Sequence, residues 1–208
     1  MRIPRVLTGA AAAAGVVAAG RAAARLARRS GVTEAEVAAA LPGDEIVRGA
    51  RVVIDRATTL QAAPEEVWPW LVQLGKGRGG WYLPAWLETV VPAARRGLRT
   101  IDPRWQGLTP GDVIPDWGGA DATFEVVTVD PPRALVHRSV RPRRDGEPLD
   151  LSWALVLSPA PDGRSRLHLR LRISELGHRA PALVAALGGL LDEATVRPMF
   201  AGLAERLR

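Results

Sequence analysis

Three features of the 208-residue sequence predict an α+β fold in which a curved antiparallel sheet wraps around a long C-terminal helix. The first is a β-branched strand followed at once by two helices, each opening at a proline, Pro64 and Pro84. The second is a change to period-two alternation from Asp112 onward, in runs separated by turn residues. The third is a return to helical composition after Gly177. This order of elements is the helix-grip arrangement, which leaves room for a cavity between sheet and helix.

Residues 1–29 form an N-terminal segment whose core, Val6–Gly20, is uncharged and flanked by arginine. A spanning helix needs about 20 apolar residues, and this run is shorter and mostly alanine and glycine. A membrane anchor, a cleaved signal and a soluble alanine-rich helix all remain open. The heavier arginine cluster follows the run, which favours anchoring with the body on the cytoplasmic side. Residues 30–45 hold a short helix and linker: Thr33 caps Thr33–Leu41 with Glu36 three positions on, and Pro42-Gly43-Asp44 stops it. The body, residues 46–208, carries the remaining elements.

Arg51–Gln61 is the first body strand, with Val52, Ile54, Thr58 and Leu60 on one face and Arg56 as the charged exception. Pro64 then starts a helix whose apolar stripe is Val67, Trp70, Leu71 and Leu74, with Glu65 and Glu66 at its positive end and Gly75 at its stop. A second short helix, Pro84–Val91, is expected to turn Trp86, Leu87 and Val90 inward, and 92–111 to be irregular. The later strands are expected at Asp112–Pro115, Ala122–Val129, Ala134–Val140, Leu151–Ser158 and Arg164–Ile173. In the last, Leu167, Leu169, Leu171 and Ile173 face inward, while Arg166, His168, Arg170 and Arg172 should face solvent. Within the final helix Pro198 predicts a kink or restart.

Composition excludes several chemistries. Without cysteine there is no disulfide, thiolate metal site or cysteine nucleophile. The net charge of +6 resembles a nucleic-acid signal, but six arginines and no acidic residue lie in 1–29. The rest holds 22 basic against 22 acidic residues, so the body is formally neutral and offers no basic groove for nucleic acid. Gly75-Lys76-Gly77-Arg78-Gly79-Gly80 satisfies GxGxxG literally. A helix precedes these glycines where a dinucleotide site needs a strand, so the motif is a helix stop with a linker, or a lid hinge near the cavity mouth. No cofactor and no metal site is expected: GxSxG, HExxH and P-loop patterns are absent, and Glu175 with His178 is too little for a metal.

The stretch Pro64–Leu87 holds four of the seven tryptophans and the single tyrosine. Trp70 and Trp86 fall on apolar helix stripes and are expected in the core; Trp153, between Leu151 and Leu155, is core or cavity wall. Trp81, Trp105 and Trp117 have glycine or polar neighbours, the setting of half-wet indoles that touch ligands. His168 and His178 are expected at the surface. His137 shares a face with Leu135 and Ser139, so it is either a satisfied core histidine or a cavity group.

Pro64-Glu65-Glu66-Val67-Trp68-Pro69-Trp70-Leu71-Val72-Gln73-Leu74-Gly75, followed by Arg78-Gly79-Gly80-Trp81-Tyr82 and Trp86-Leu87, resembles the START-like (SRPBCC) superfamily, and within it the bacterial polyketide cyclase/dehydrase-type proteins. Leu83-Pro84-Ala85 departs from the more polar residues of that group. The resemblance implies a cavity that takes a hydrophobic small molecule, lipid or polyketide-like. The candidate ligand-binding set is Gln73, Trp81, Tyr82, Trp117, Glu125, His137, Trp153 and Leu187. An enzyme of cyclase or dehydratase type is the alternative, with His137, Tyr82 and Glu125 as its polar candidates. A third reading is a cytoplasmic adaptor tethered to the inner membrane face through residues 1–29.

Overall fold

The computed structural model describes residues 28–118, 121–142, 147–174 and 181–208, with side chains of the final helix from Asp192 onward. The Val6–Gly20 run, His178 and the side chain of Leu187 therefore lie outside the described residues. Among the described residues, seven strands form one sheet in the order β1 (Arg29–Ser30), β2 (Val52–Leu60), β7 (Arg164–Ile173), β6 (Leu149–Ala160), β5 (Ala134–Arg141), β4 (Thr123–Asp130) and β3 (Val113–Pro115). Every neighbouring pair is antiparallel except β1, which runs parallel to β2. The helices are α1 (Glu34–Ala38), α2 (Pro64–Gln73), α3 (Ala85–Glu88) and the long α4 (Pro181–Arg206). Pro198 sits inside α4 without ending it. Among the described residues, no helix is long and apolar enough to cross a membrane.

Cross-strand register explains the core. Ile54, Leu171, Trp153, His137 and Val126 stand in one file across β2, β7, β6, β5 and β4. Leu169, Leu155 and Leu135 are buried in the adjacent file, beside Arg56. Val67 and Leu71 of α2, with Val196, Met199 and Leu203 of α4, complete this cluster. The charged exception on β2 keeps its inward orientation: Arg56 is fully buried, its Nε 3.1 Å from Asp192 and 2.8 Å from Glu193 of α4. The pair of carboxylates meets the buried guanidinium and ties the helix to β2.

The outer face of β7 is not wet, contrary to the alternation pattern. His168 and Arg170 are buried, both on Asp55 of β2, at 2.8 and 2.7 Å. Residues 31–48 cover them. Arg170 donates to the carbonyls of Ala39, Glu36 and Val37 and to Asp44, while Arg172 donates to the carbonyl of Val47. Arg166 reaches Glu36. The α1 region, expected as a link to the tail, is therefore a strap held by arginines against the sheet. Its capping box forms as the sequence predicts, Thr33 Oγ1 accepting from Glu36 N at 3.1 Å.

Trp86 is 69% exposed, so its expected place in the core is wrong. The single turn of α3 turns Glu88 inward instead, where Arg206 and Arg99 pair with it at 2.7 Å each. Val90 is exposed as well.

Candidate ligand cavity

The glycine segment positions one wall. After α2, Gly75 and Gly80 bridge in antiparallel fashion, and the Gly79 N–H donates to the Gln73 carbonyl at 2.6 Å. A Cβ on Gly79 would lie 2.6 Å from that same carbonyl oxygen, and Gly80 has a φ of 78°. The close approach and left-handed backbone both require glycine. Arg78 donates to the carbonyls of Val72 and Trp105, so the segment is a clamped turn rather than an open linker. Lys76 donates to the Asp116 carbonyl at 3.0 Å, joining the turn to the loop after β3.

Trp81 emerges from this turn and its indole N–H donates to the Thr195 carbonyl of α4 at 3.1 Å. Its ring stacks near-parallel on Trp153, 6.2 Å between centroids, and meets Trp117 edge-on at 5.6 Å. Phe124 and His137 both lie against Trp153, at 5.9 and 5.4 Å. These rings line a cavity of about 620 Å3 between the sheet, the glycine turn and α4. Leu74, Ile114, Leu171 and Val196 add aliphatic wall. Trp117 is 52% exposed, at the outer rim.

Among the described residues, the polar groups of the wall are few. Asp116 and Arg141 pair with each other in a short contact, and Arg141 lies over the Phe124 ring. Burial pushes the Asp192 carboxyl up to about 6, with the Arg56 charge opposing that shift. Burial also pushes His137 down to about 4, the main chain of Trp153 opposing and the Arg78 charge adding slightly, so the imidazole is neutral at pH 7. His137 Nδ1 is buried and has no hydrogen-bond partner.

Trp81, Trp117, His137 and Trp153 thus come together as the sequence suggests. Three other candidates do not join them. Gln73 is fully buried, but its amide donates to the Thr100 carbonyl and accepts from Asp102 N, bracing the 100–106 loop. Tyr82 is also fully buried: its hydroxyl donates to the Trp70 carbonyl at 2.8 Å and Arg206 lies 4.8 Å over its ring, a core role. Burial raises the pKa of its hydroxyl. Glu125 is exposed, because the strand register turns its neighbours Phe124 and Val126 inward.

Sequence reasoning missed Phe124 and Asp192. The first was legible, since an aromatic beside a glutamate on a half-buried strand should take the inner face. The second was foreshadowed by Arg56, whose inward position required an acidic partner.

No protein-family model matches the chain, and no curated protein matches it. Among solved structures, it is similar to protein MLL2253 of Mesorhizobium loti, at 19% identity and TM-score 0.45 over 74% of this chain and 96% of that one. It is also similar to protein NE0264 of Nitrosomonas europaea, at 15% identity and TM-score 0.46 over 75% and 94%. A third is CalU16 of Micromonospora echinospora, at 18% identity and TM-score 0.39 over 74% and 83%. The fold assignment rests on the chain's own sheet order and last helix: this is a helix-grip α+β fold.

Proposed function

We propose that this chain is a START-like (SRPBCC) protein that binds a hydrophobic small molecule, lipid or polyketide-like, in the cavity between sheet and last helix. The observation that carries the proposal is the volume of about 620 Å3 lined by Trp81, Trp153, Phe124 and aliphatic neighbours, within the range of small-molecule sites. Burying apolar ligand surface there gains roughly 25 cal/mol per Å2 before the costs of association. Native mass spectrometry of the purified protein is expected to show a co-purifying apolar molecule or saturable uptake of fatty acids and aromatic polycycles. Failure to bind any of these would overturn the proposal.

The cyclase or dehydratase alternative retains His137 as its one cavity-facing candidate of three. Its support is that a neutral imidazole beside stacked rings can exchange a proton with a bound chain. Turnover of a poly-β-ketone mimic by the intact protein and not by His137→Phe would favour it. The cytoplasmic, membrane-tethered arrangement depends on residues 1–29 alone. Cell fractionation with and without that segment tests it, and a full-length protein found wholly in the soluble fraction would exclude the tether.

A further inference from the structure

We propose that His137 is the polar anchor of the cavity, and that the preferred ligand is a flat, uncharged ring compound whose hydroxyl group meets this imidazole. The proposal rests on the cavity being a ligand site.

Among the described residues, the buried polar atoms of this wall without a hydrogen bond are His137 Nδ1 and Asp192 Oδ2. Asp192 is held by the Arg56 charge at 3.1 Å, and the imidazole has the Trp153 main chain as a polar neighbour, which leaves His137 Nδ1 as the atom with unmet capacity. The other polar features are already engaged: Trp81 N–H on the Thr195 carbonyl, Arg141 on Asp116, Thr195 Oγ1 on the Asp192 carbonyl. A buried polar group without a partner is costly, so its retention at a cavity wall points to a partner supplied from the cavity.

The chemistry of that partner follows from the surroundings. Neutral imidazole offers one N–H and one lone pair, and a hydroxyl can answer either, whatever the tautomer. Burial and the nearby Arg78 charge both disfavour a cation here, consistent with a neutral imidazole and a neutral ligand. A ligand carboxylate would face the Asp192 side chain across the same small cavity. The shape follows from the rings: Trp153 lies tilted by only 31° to His137 and 22° to Trp81, so the wall presents nearly aligned faces. Such faces favour offset stacking by another flat ring.

The test is an NMR-monitored titration of the intact protein and His137→Phe with 2-naphthol and with naphthalene. The ratio of Kd for naphthalene to Kd for 2-naphthol is expected to fall about tenfold in the variant, the loss of one neutral hydrogen bond. In the intact protein, 2-naphthol should also move a His137 ring-nitrogen resonance toward hydrogen-bonded values while naphthalene does not. This second reading stands if the variant fails to fold. Binding of both probes with the same ratio in both proteins, or without the nitrogen shift, would overturn the anchor alone. Binding of neither probe would overturn the anchor and the cavity assignment together.

Discussion

Replacing His137 with phenylalanine should flatten the acid side of the stability profile. The imidazole is buried between Phe124 and Trp153, and its pKa falls from an ordinary 6.5 to about 4. The unfolded chain therefore takes up a proton that the folded one refuses. For a base whose folded pKa is depressed, the stabilising contribution is complete above the unfolded pKa and is lost as pH falls through the window from 6.5 to about 4. The full loss is roughly 3 kcal/mol, of which about 2 kcal/mol is gone by about pH 5. Urea denaturation followed by fluorescence reads this directly. With a slope of about 2 kcal/mol per molar, the native protein's midpoint should drop about 1 M more than the variant's between about pH 7.5 and about pH 5. Asp192 titrates in the same window with the opposite sign, and the difference between the two proteins cancels it. Near pH 7.5 the variant should be no less stable, because phenylalanine removes a buried nitrogen without a partner. Equal midpoint shifts in the two proteins would refute a buried neutral imidazole.

Other perturbations reach different parts of the fold. Asp192→Asn should remove a contribution of the other sign: a carboxyl raised from 3.8 to about 6 stabilises fully below the lower value and is lost as pH rises through the upper. The native protein should lose up to about 3 kcal/mol from this group between about pH 4 and about pH 8, and an unchanged slope in the variant would contradict it. Arg206→Ala leaves the buried Glu88 carboxylate with Arg99 as its remaining partner and uncovers Tyr82, at an expected cost of about 3 kcal/mol in chemical denaturation. A loss under about 1 kcal/mol would show that the pair is not buried in solution. Arg170→Ala should free the strap over 31–48, which hydrogen exchange would report as faster exchange there than in β6. Unchanged protection across the strap would place its anchorage elsewhere. Trp153→Leu keeps a partly buried apolar side chain but removes the ring that Trp81, Phe124 and His137 all meet, so ring-ligand affinity should fall about tenfold with little change in folding.

Local signals carried most of the architecture. Period-two alternation and β-branched composition located Arg164–Ile173 to the residue and β2 to β6 to within about two, but gave no sign of the two-residue β1. Proline at the first helical turn, the Thr33–Glu36 box and glycine after Leu74 marked helix ends that the structure keeps. These depend on neighbours in sequence, and the chain states them locally. What the sequence could not decide is which face of a strand or turn meets a distant segment. The arginines of β7 read as solvated because alternation records only polarity, and the strap that buries them is joined to them through its own carbonyls. Trp86 left its expected place in the core for the surface because the single turn of α3 buries Glu88 against Arg206, and Tyr82 left the expected ligand set for the core, where Arg206 covers its ring. Glu125 was chosen as a site candidate and Phe124 overlooked, while pairing register turned Phe124 to the cavity and Glu125 to solvent. At the cavity, the sequence by itself named Trp81, Trp117, Trp153 and His137 as candidates for a ring-rich surface, leaving Trp153 and His137 open between core and cavity. Only the tertiary structure decided that they converge, because Trp153 and His137 lie directly opposite across a strand pair and α4 supplies the carbonyl that holds Trp81 over them.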